Sequence, residues 1–333
     1  MTPSVAVFGA SGYAGALCAR LLHRHPSFAL ATVTSRSDVG RRVDELYPHH
    51  RVPMVMEELD LERHAEVDAA VVAYPHGAAA ELVAQLRRRD VKVVDLSADF
   101  RLRDAAVYEE WYRPHPAPEL LSEAVYGLPE RYRAEIAGAS LVANPGCYPT
   151  AAILGLGPLA RAGVIADVVI DAKSGVSGAG RGATDQTHFV SVDENMNAYS
   201  VPRHRHTPEI EQELAVLGAE RPVTFTPHLI PLDQGELVSC YVTPANGGLS
   251  GEDARAIYLD AYEDEAFVEV VSGPPGVRAV RETNLCRISV HADERTGRVI
   301  VFSVIDNLWK GTASQAVQNL NLMFGRPEGE GIV

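Results

Sequence analysis

Along the first hundred residues, compact apolar runs alternate with stretches in which apolar residues recur every three or four positions. Residues 5–8, 29–34, 67–73 and 91–95 are short, largely apolar runs bounded by glycine or polar residues. Runs of this kind read as strands covered on both faces, as in a parallel sheet. Helical spacing follows the first run through Leu17, Leu21 and Leu22, and follows the third over residues 78–89. Strand and helix in alternation predict a doubly wound parallel sheet that takes its ligand at the carboxyl ends of the strands. Residues 104–138 are rich in Pro, Tyr and Glu without a clear period, and are expected to form a long surface excursion.

The pattern changes after residue 150. An apolar run over 139–143 leads into a helix-like run over 151–162, and 168–172 reads as a strand. Residues 173–182 are expected to form a flexible loop carrying Lys173 and Arg181. Residues 236–243 alternate as a half-buried strand does, and 286–292 with 298–306 read as a hairpin turning at 293–297. Ala313, Ala316, Val317, Leu320 and Phe324 share one face of a helix over 312–324, and the tail 325–333 is expected to fray. The fold class is therefore α/β, a Rossmann dinucleotide-binding domain joined to an α+β domain on a mostly antiparallel sheet.

Composition narrows the function. The 333 residues, 46% hydrophobic and 22% charged, suffice for two domains with sizeable cores. The longest apolar stretch, 151–170, is broken by Pro158, Arg161 and Asp167, so no bilayer span is expected. The chain opens almost directly on a strand, with no signal-peptide pattern. Cys18, Cys147, Cys240 and Cys286 form no CxxC pair and no zinc spacing, which fits a cytoplasmic protein with free thiols and no metal. A net charge of −14 argues against a nucleic-acid partner. An anionic small molecule must then be held by local cations and helix N-termini.

Three segments carry chemistry. Gly9, Gly12 and Gly15 fall as GxxGxxG between the first strand and its helix, which is the setting of a dinucleotide-binding turn. The second strand ends in Ser35-Arg36-Ser37, where an arginine suits the 2′-phosphate of NADP; nearby Asp38 is compatible with NAD. Asn144-Pro145-Gly146-Cys147-Tyr148-Pro149-Thr150 places a thiol in a rigid turn at the head of a helix, where the dipole favours the thiolate. In Arg203-His204-Arg205-His206-Thr207-Pro208-Glu209, two histidines alternate with two arginines before a helix that Thr207 can cap with Pro208 first. Histidine exchanges protons near neutral pH, and Glu209 can orient one ring. A solvated, basic helix entry is the first competing reading of that segment; a metal site ranks behind it, because no third ligand is evident and the neighbouring arginines would repel a cation.

A nicotinamide domain, a cysteine corner and then a histidine follow the order of a phosphorylating semialdehyde dehydrogenase. Gly9 to Gly15, Pro75-His76-Gly77, Ser97 to Leu102, Tyr126 to Glu130, Asn144 to Thr150, Ser174 to Arg181, His204-Arg205-His206 and Asn307 to Gly311 together resemble the N-acetyl-gamma-glutamyl-phosphate reductase family. Tyr13-Ala14 and Tyr74 depart from its usual Tyr-Thr and Leu.

The resemblance implies a nucleotide domain of residues 1–147 plus a C-terminal helix, 310–333, and a catalytic and dimerisation domain of 148–309. It implies a homodimer or homotetramer acting on a small acyl phosphate. The implied reaction is NADPH-dependent reduction of N-acetyl-L-glutamyl 5-phosphate to the 5-semialdehyde through a cysteine thioester, a step of arginine biosynthesis. The alternatives are the lysine-pathway reductase of N-acetylaminoadipyl phosphate and a non-catalytic NADP-binding redox sensor. On this basis Cys147, His204, His206 and Glu209 are the expected catalytic residues. Gly9, Ser11, Gly12, Tyr13, Gly15, Ser35, Arg36, Pro75, Ser174, Gly175 and Asn307 are expected to hold the cofactor. Arg101, Asn144 and Arg181 are expected to hold the substrate.

Overall fold

In the computed structural model, which describes residues 2–245 and 247–332, the early apolar runs become parallel strands. These are β1 (Ser4–Phe8), β2 (Ala29–Thr34), β3 (Ala69–Val72), β4 (Lys92–Asp95), β5 (Val125–Tyr126) and β6 (Leu141–Ala143). They form one sheet in the order β2-β1-β3-β4-β6-β5, with every pair parallel. Ala6, Phe8, Ala70 and Val72 pack with Leu82, Val83 and Leu86 of the helix Ala80–Arg87. The alternate residues Val5, Val7 and Val71 are fully buried on the opposite face, where the helix Tyr13–His23 packs along β1 and β2. Two covered faces explain why these strands are apolar throughout rather than alternating. The chain leaves β1 for β2 on one side and returns to β3 on the other, so the strand order reverses at β1, leaving a crevice at its carboxyl end.

The segment 104–138 is not the surface excursion expected. It holds the helices Ala105–Trp111 and Pro129–Gly138 and the strand β5, and it buries Tyr108, Tyr126, Leu128 and Ile136. Each element is too short to show a period, and its core residues are spread among charged ones. The tail is also docked rather than frayed over described residues 325–332. His25 Nε2 bonds the Glu330 carbonyl at 2.8 Å, and Asn321 Nδ2 donates to the Glu328 and Glu330 carbonyls at 3.1 and 2.9 Å. Side chains capture a polar backbone there, which hydropathy does not register.

The chain divides into two compact units, Met1–Gly146 with Thr312–Val333, and Cys147–Gly311. The second is built on β7 (Ile165–Gly175), β8 (Asn197–Ala198), β9 (Thr224–Ile230), β10 (Glu236–Pro244), β11 (Val268–Val270), β12 (Cys286–Asp293) and β13 (Arg298–Ile305). Their order is β11-β12-β13-β10-β7-β9-β8. The β7–β9 and β11–β12 pairs are parallel and the others antiparallel. Strand β7 continues to Gly175 and is followed by a 3-10 turn, Val176–Ala179, so the first part of the expected flexible loop is regular.

The helix Cys147–Arg161 lies across β10 and β13. On β10 the even positions Val238, Cys240 and Val242 are fully buried on the helix side. Pro158 lies inside that helix and has no N–H for the carbonyl of Leu154. Tyr262, on the helix Gly251–Tyr262, donates its hydroxyl to Leu154 O, and Tyr258 donates to Gly155 O, both at 2.5 Å. An interior proline costs about 3 kcal/mol relative to alanine, and each such bond returns about 1 kcal/mol. The following helix therefore reinforces the one that begins on Cys147.

Candidate active site

In the first unit the glycine turn closes over the end of the sheet. Gly9 and Ala10 both donate to Thr34 O, at 3.1 and 2.9 Å. Gly9 has φ +95°, and a Cβ there would lie 2.5 Å from Ala73 O, so the turn accepts only glycine. Gly15 packs against the backbone of Gly9 as closely, which fixes the helix against the turn. Gly12 is the N-cap of Tyr13–His23 and no side chain caps it, so the first-turn N–H groups have no side-chain partner. Free helix donors behind a cradle with no Cβ fit the pyrophosphate of a dinucleotide.

Ser35 Oγ donates to Ser11 Oγ at 2.9 Å and accepts from the amides of Ser37 and Asp38 at 3.2 and 3.1 Å. Asp38 is buried and accepts from Ser37 Oγ at 2.6 Å and Arg41 Nη1 at 3.3 Å. Its carboxylate is thus engaged locally. Arg36 is exposed, with its guanidinium 5.4 Å from the centre of the Tyr74 ring. The tyrosine in place of leucine supplies a face on which that cation rests. Pro75 is exposed, while His76 Nδ1 accepts the Ala98 amide at 3.0 Å.

Arg101 and Asn144 also lie in this unit. Arg101 is 5% exposed; its Nε donates to Asn144 O at 2.8 Å and its Nη2 to Leu96 O at 2.9 Å. Asn144 donates its backbone N–H to Asp95 O at 2.9 Å and its Nδ2 to Thr312 O at 3.2 Å, and its Oδ1 accepts from Asn319 Nδ2 at 3.0 Å. Both residues therefore tie down the turn that delivers Cys147.

In the second unit Cys147 is the first residue of its helix and is partly exposed, whereas Cys18, Cys240 and Cys286 are buried. Burial pushes the Cys18 thiol up to about 12 and the Cys240 thiol up as well, so neither is a ready nucleophile. A Cβ on Gly311 would lie 2.8 Å from the Cβ of Cys147, so the chain passes directly over the cysteine and only glycine permits it.

Tyr148 gathers the histidines, with the ring centres of His204 and His206 at 5.8 and 5.9 Å and 4.8 Å from each other. The alternation seen in the sequence thus turns both rings to one side. His204 Nδ1 accepts the His206 amide at 3.1 Å, which puts the ring proton on Nε2. Burial, with Arg205 beside it, pushes His204 down to about 4, so it is neutral near physiological pH. The helix starts at Thr207 with His206 as its N-cap, one residue earlier than expected, and Pro208 still needs no N–H there. Glu209 is buried in its first turn.

Ser174 and Asn307 are buried, and Asn307 Oδ1 accepts the Gly235 amide at 2.7 Å while its Nδ2 donates to Ser177 Oγ at 3.0 Å. Gly175 N donates to Gly235 O at 2.9 Å, and Arg181 is exposed. Two residues have no role in the sequence reading, Tyr199, whose hydroxyl donates to Tyr148 at 3.4 Å, and Glu236, while Gly311 stands there only as the end of the Asn307 to Gly311 segment. Glu236 had a signal, since it shares its strand face with three apolar residues.

Residues 4–139 match the semialdehyde dehydrogenase NAD binding domain and residues 147–307 the semialdehyde dehydrogenase dimerisation domain. The N-acetyl-gamma-glutamyl-phosphate reductase of Desulforudis audaxviator is 52% identical over 99% of this chain and 97% of that protein. The chain belongs to the N-acetyl-gamma-glutamyl-phosphate reductase family of semialdehyde dehydrogenases. The reductase of Syntrophobacter fumaroxidans is 50% identical over 98% of this chain and 97% of its own length. Aspartate semialdehyde dehydrogenase II of Vibrio cholerae shares the fold with a TM-score of 0.74 at 18% identity, covering 98% of this chain and 99% of that one. Among the described residues, no helix is long and apolar enough to cross a membrane, and no cluster could hold a metal ion.

Proposed function

We propose that this chain reduces N-acetyl-L-glutamyl 5-phosphate to N-acetyl-L-glutamate 5-semialdehyde with release of phosphate, using NADPH. The observation that carries the reading is an accessible cysteine at the head of a helix, in a chain about half identical to reductases of that name over nearly their full length. The relatives' name favours the glutamyl substrate over the aminoadipyl one, and a histidine pair gathered on Tyr148, the residue after Cys147, favours an enzyme over a passive sensor.

The glycine turn and helix start of the first unit hold the pyrophosphate, with Ser11, Ser35 and Arg36 at the ribose phosphate and Pro75 at the edge of the same site. When bound, NADPH supplies the hydride that takes the acyl group to the aldehyde level. The chain's own residues do the rest. The Cys147 thiolate attacks the acyl carbonyl, phosphate leaves, and the acyl group is held as a thioester. Backbone N–H groups at the start of its helix stabilise the oxygen that gains charge. His204, neutral with its proton on Nε2, donates a hydrogen bond to that oxygen; His206, oriented by Glu209, gives that oxygen a proton as the thiohemiacetal forms and takes it back as the aldehyde forms. Arg181 binds the anionic end of the substrate. Arg101 and Asn144 act by holding the cysteine turn, and Ser174, Gly175 and Asn307 by shaping the wall of the second unit. Residues 147–307 pair two copies into a homo-oligomer.

The test is phosphate-dependent NADP reduction by purified protein, comparing the glutamyl and aminoadipyl semialdehydes. The expected result is turnover of the glutamyl compound with the higher kcat/KM. Equal or better turnover of the longer one overturns the substrate assignment.

A further inference from the structure

Glu236 is a buried acid that the chemistry above leaves unused. It is 0% exposed, on the helix-covered face of β10, in line with Val238, Cys240 and Val242. It opposes Ser174 on β7 and Ile305 on β13. Among the described residues neither carboxyl oxygen has a hydrogen bond of standard geometry, and no lysine or arginine pairs with it. Its polar neighbours are the Cys147 thiol and Tyr148 hydroxyl from the helix, the Ser174 hydroxyl from β7, the Tyr199 hydroxyl, and the Asp306 carboxylate beyond β13; the Cys147 and Ser174 groups lie close enough to favour its anion. Asp306 is occupied by the amides of Glu282, Leu308 and Trp309 at 2.8, 2.9 and 3.2 Å. An acid left unsatisfied inside a core is costly unless it has a task.

We propose that Glu236 is the base that receives the proton of the Cys147 thiol and returns it when the sulfur departs. The proposal rests on Cys147 being the nucleophile. The S–H bond breaks as an O–H bond forms on Glu236, and the freed sulfur pair makes the thioester while phosphate leaves with the acyl-oxygen electrons. At the aldehyde stage the C–S bond breaks, sulfur takes back its pair, and the Glu236 proton re-forms the thiol, so the residue finishes as it began. Burial, reinforced by Asp306, raises the Glu236 carboxyl to about 8. That is near an ordinary thiol, so the proton moves between the two at little cost. His204, pushed down to about 4, is poorly matched to the same task.

The experiment is the pH profile of kcat/KM for Glu236→Gln and Glu236→Asp. For the glutamine variant we expect a loss of roughly 10²–10⁴-fold near neutral pH that shrinks as the thiol ionises by itself at higher pH, with partial rescue by aspartate. An unchanged profile, or a loss equal at every pH, overturns the proposal. If the glutamine variant does not fold, infrared titration of the wild-type protein decides. A buried carboxylic acid band should titrate together with the activity limb and shift in Cys147→Ala, and its absence overturns the assignment. Full turnover in Cys147→Ser would remove the nucleophile itself. An inactive Cys147→Ser beside an unaffected Glu236→Gln would remove only the role of Glu236.

Discussion

At the scale of single residues, the assignments differ in how their side chains are engaged. Arg36 is exposed over Tyr74, while Asp38 nearby is tied to Ser37 and Arg41. Arg36→Ala should therefore weaken NADPH binding far more than NADH binding, by roughly tenfold or more, as for loss of one charge-assisted contact. Titration of both cofactors by fluorescence measures it, and equal losses would move the phosphate site elsewhere. Glu236 makes a second prediction, independent of turnover. Its folded pKa of about 8 stands above the ordinary carboxylate value. A raised value contributes stability below the unfolded pKa, and that contribution is lost as pH rises through the folded one. Glu236→Gln should thus gain stability relative to wild type between about pH 4.5 and 8, by an amount on the order of several kcal/mol. Denaturant melts at several pH values measure this, and a difference that does not grow with pH would contradict the buried, raised acid.

At the scale of elements, sequence pattern succeeded where an element is long or sharply punctuated. The GxxGxxG turn, the helix after Cys147 and the last hairpin were all legible, because glycine, proline and alternation mark them. Short helices in 104–138 were not, since two turns carry too few core positions to show a period. The two-residue strand β8 offers no pattern at all. The Tyr262 bond to Leu154 O is likewise invisible in sequence, although Pro158 announces that some donor must reach that carbonyl. Tyr262→Phe should destabilise the protein by about 1–2 kcal/mol and loosen the helix behind the cysteine. Chemical denaturation reads the first effect and amide exchange along Cys147–Arg161 the second. An unchanged melt and unchanged protection would show that the hydroxyl does nothing for that helix.

For the whole molecule, the two units follow from the same chain by different patterns: apolar runs give a parallel sheet and alternation gives a mixed one. The candidate nucleophile could be picked from its turn alone, and the histidines from their alternation. Glu236 and Gly311 needed the fold, because one reaches Cys147 from β10 and the other from the turn Trp309–Ala313, both far away in sequence. The central step is one covalent event, acylation of Cys147, which mass spectrometry can read directly. The protein is mixed with acyl phosphate in the absence of NADPH, then quenched in acid and digested. One acyl group per chain is expected, on the peptide containing Cys147 and absent in Cys147→Ser, which should not turn over. An adduct on Cys18, Cys240, Cys286 or any other residue, or normal turnover in Cys147→Ser, would contradict it.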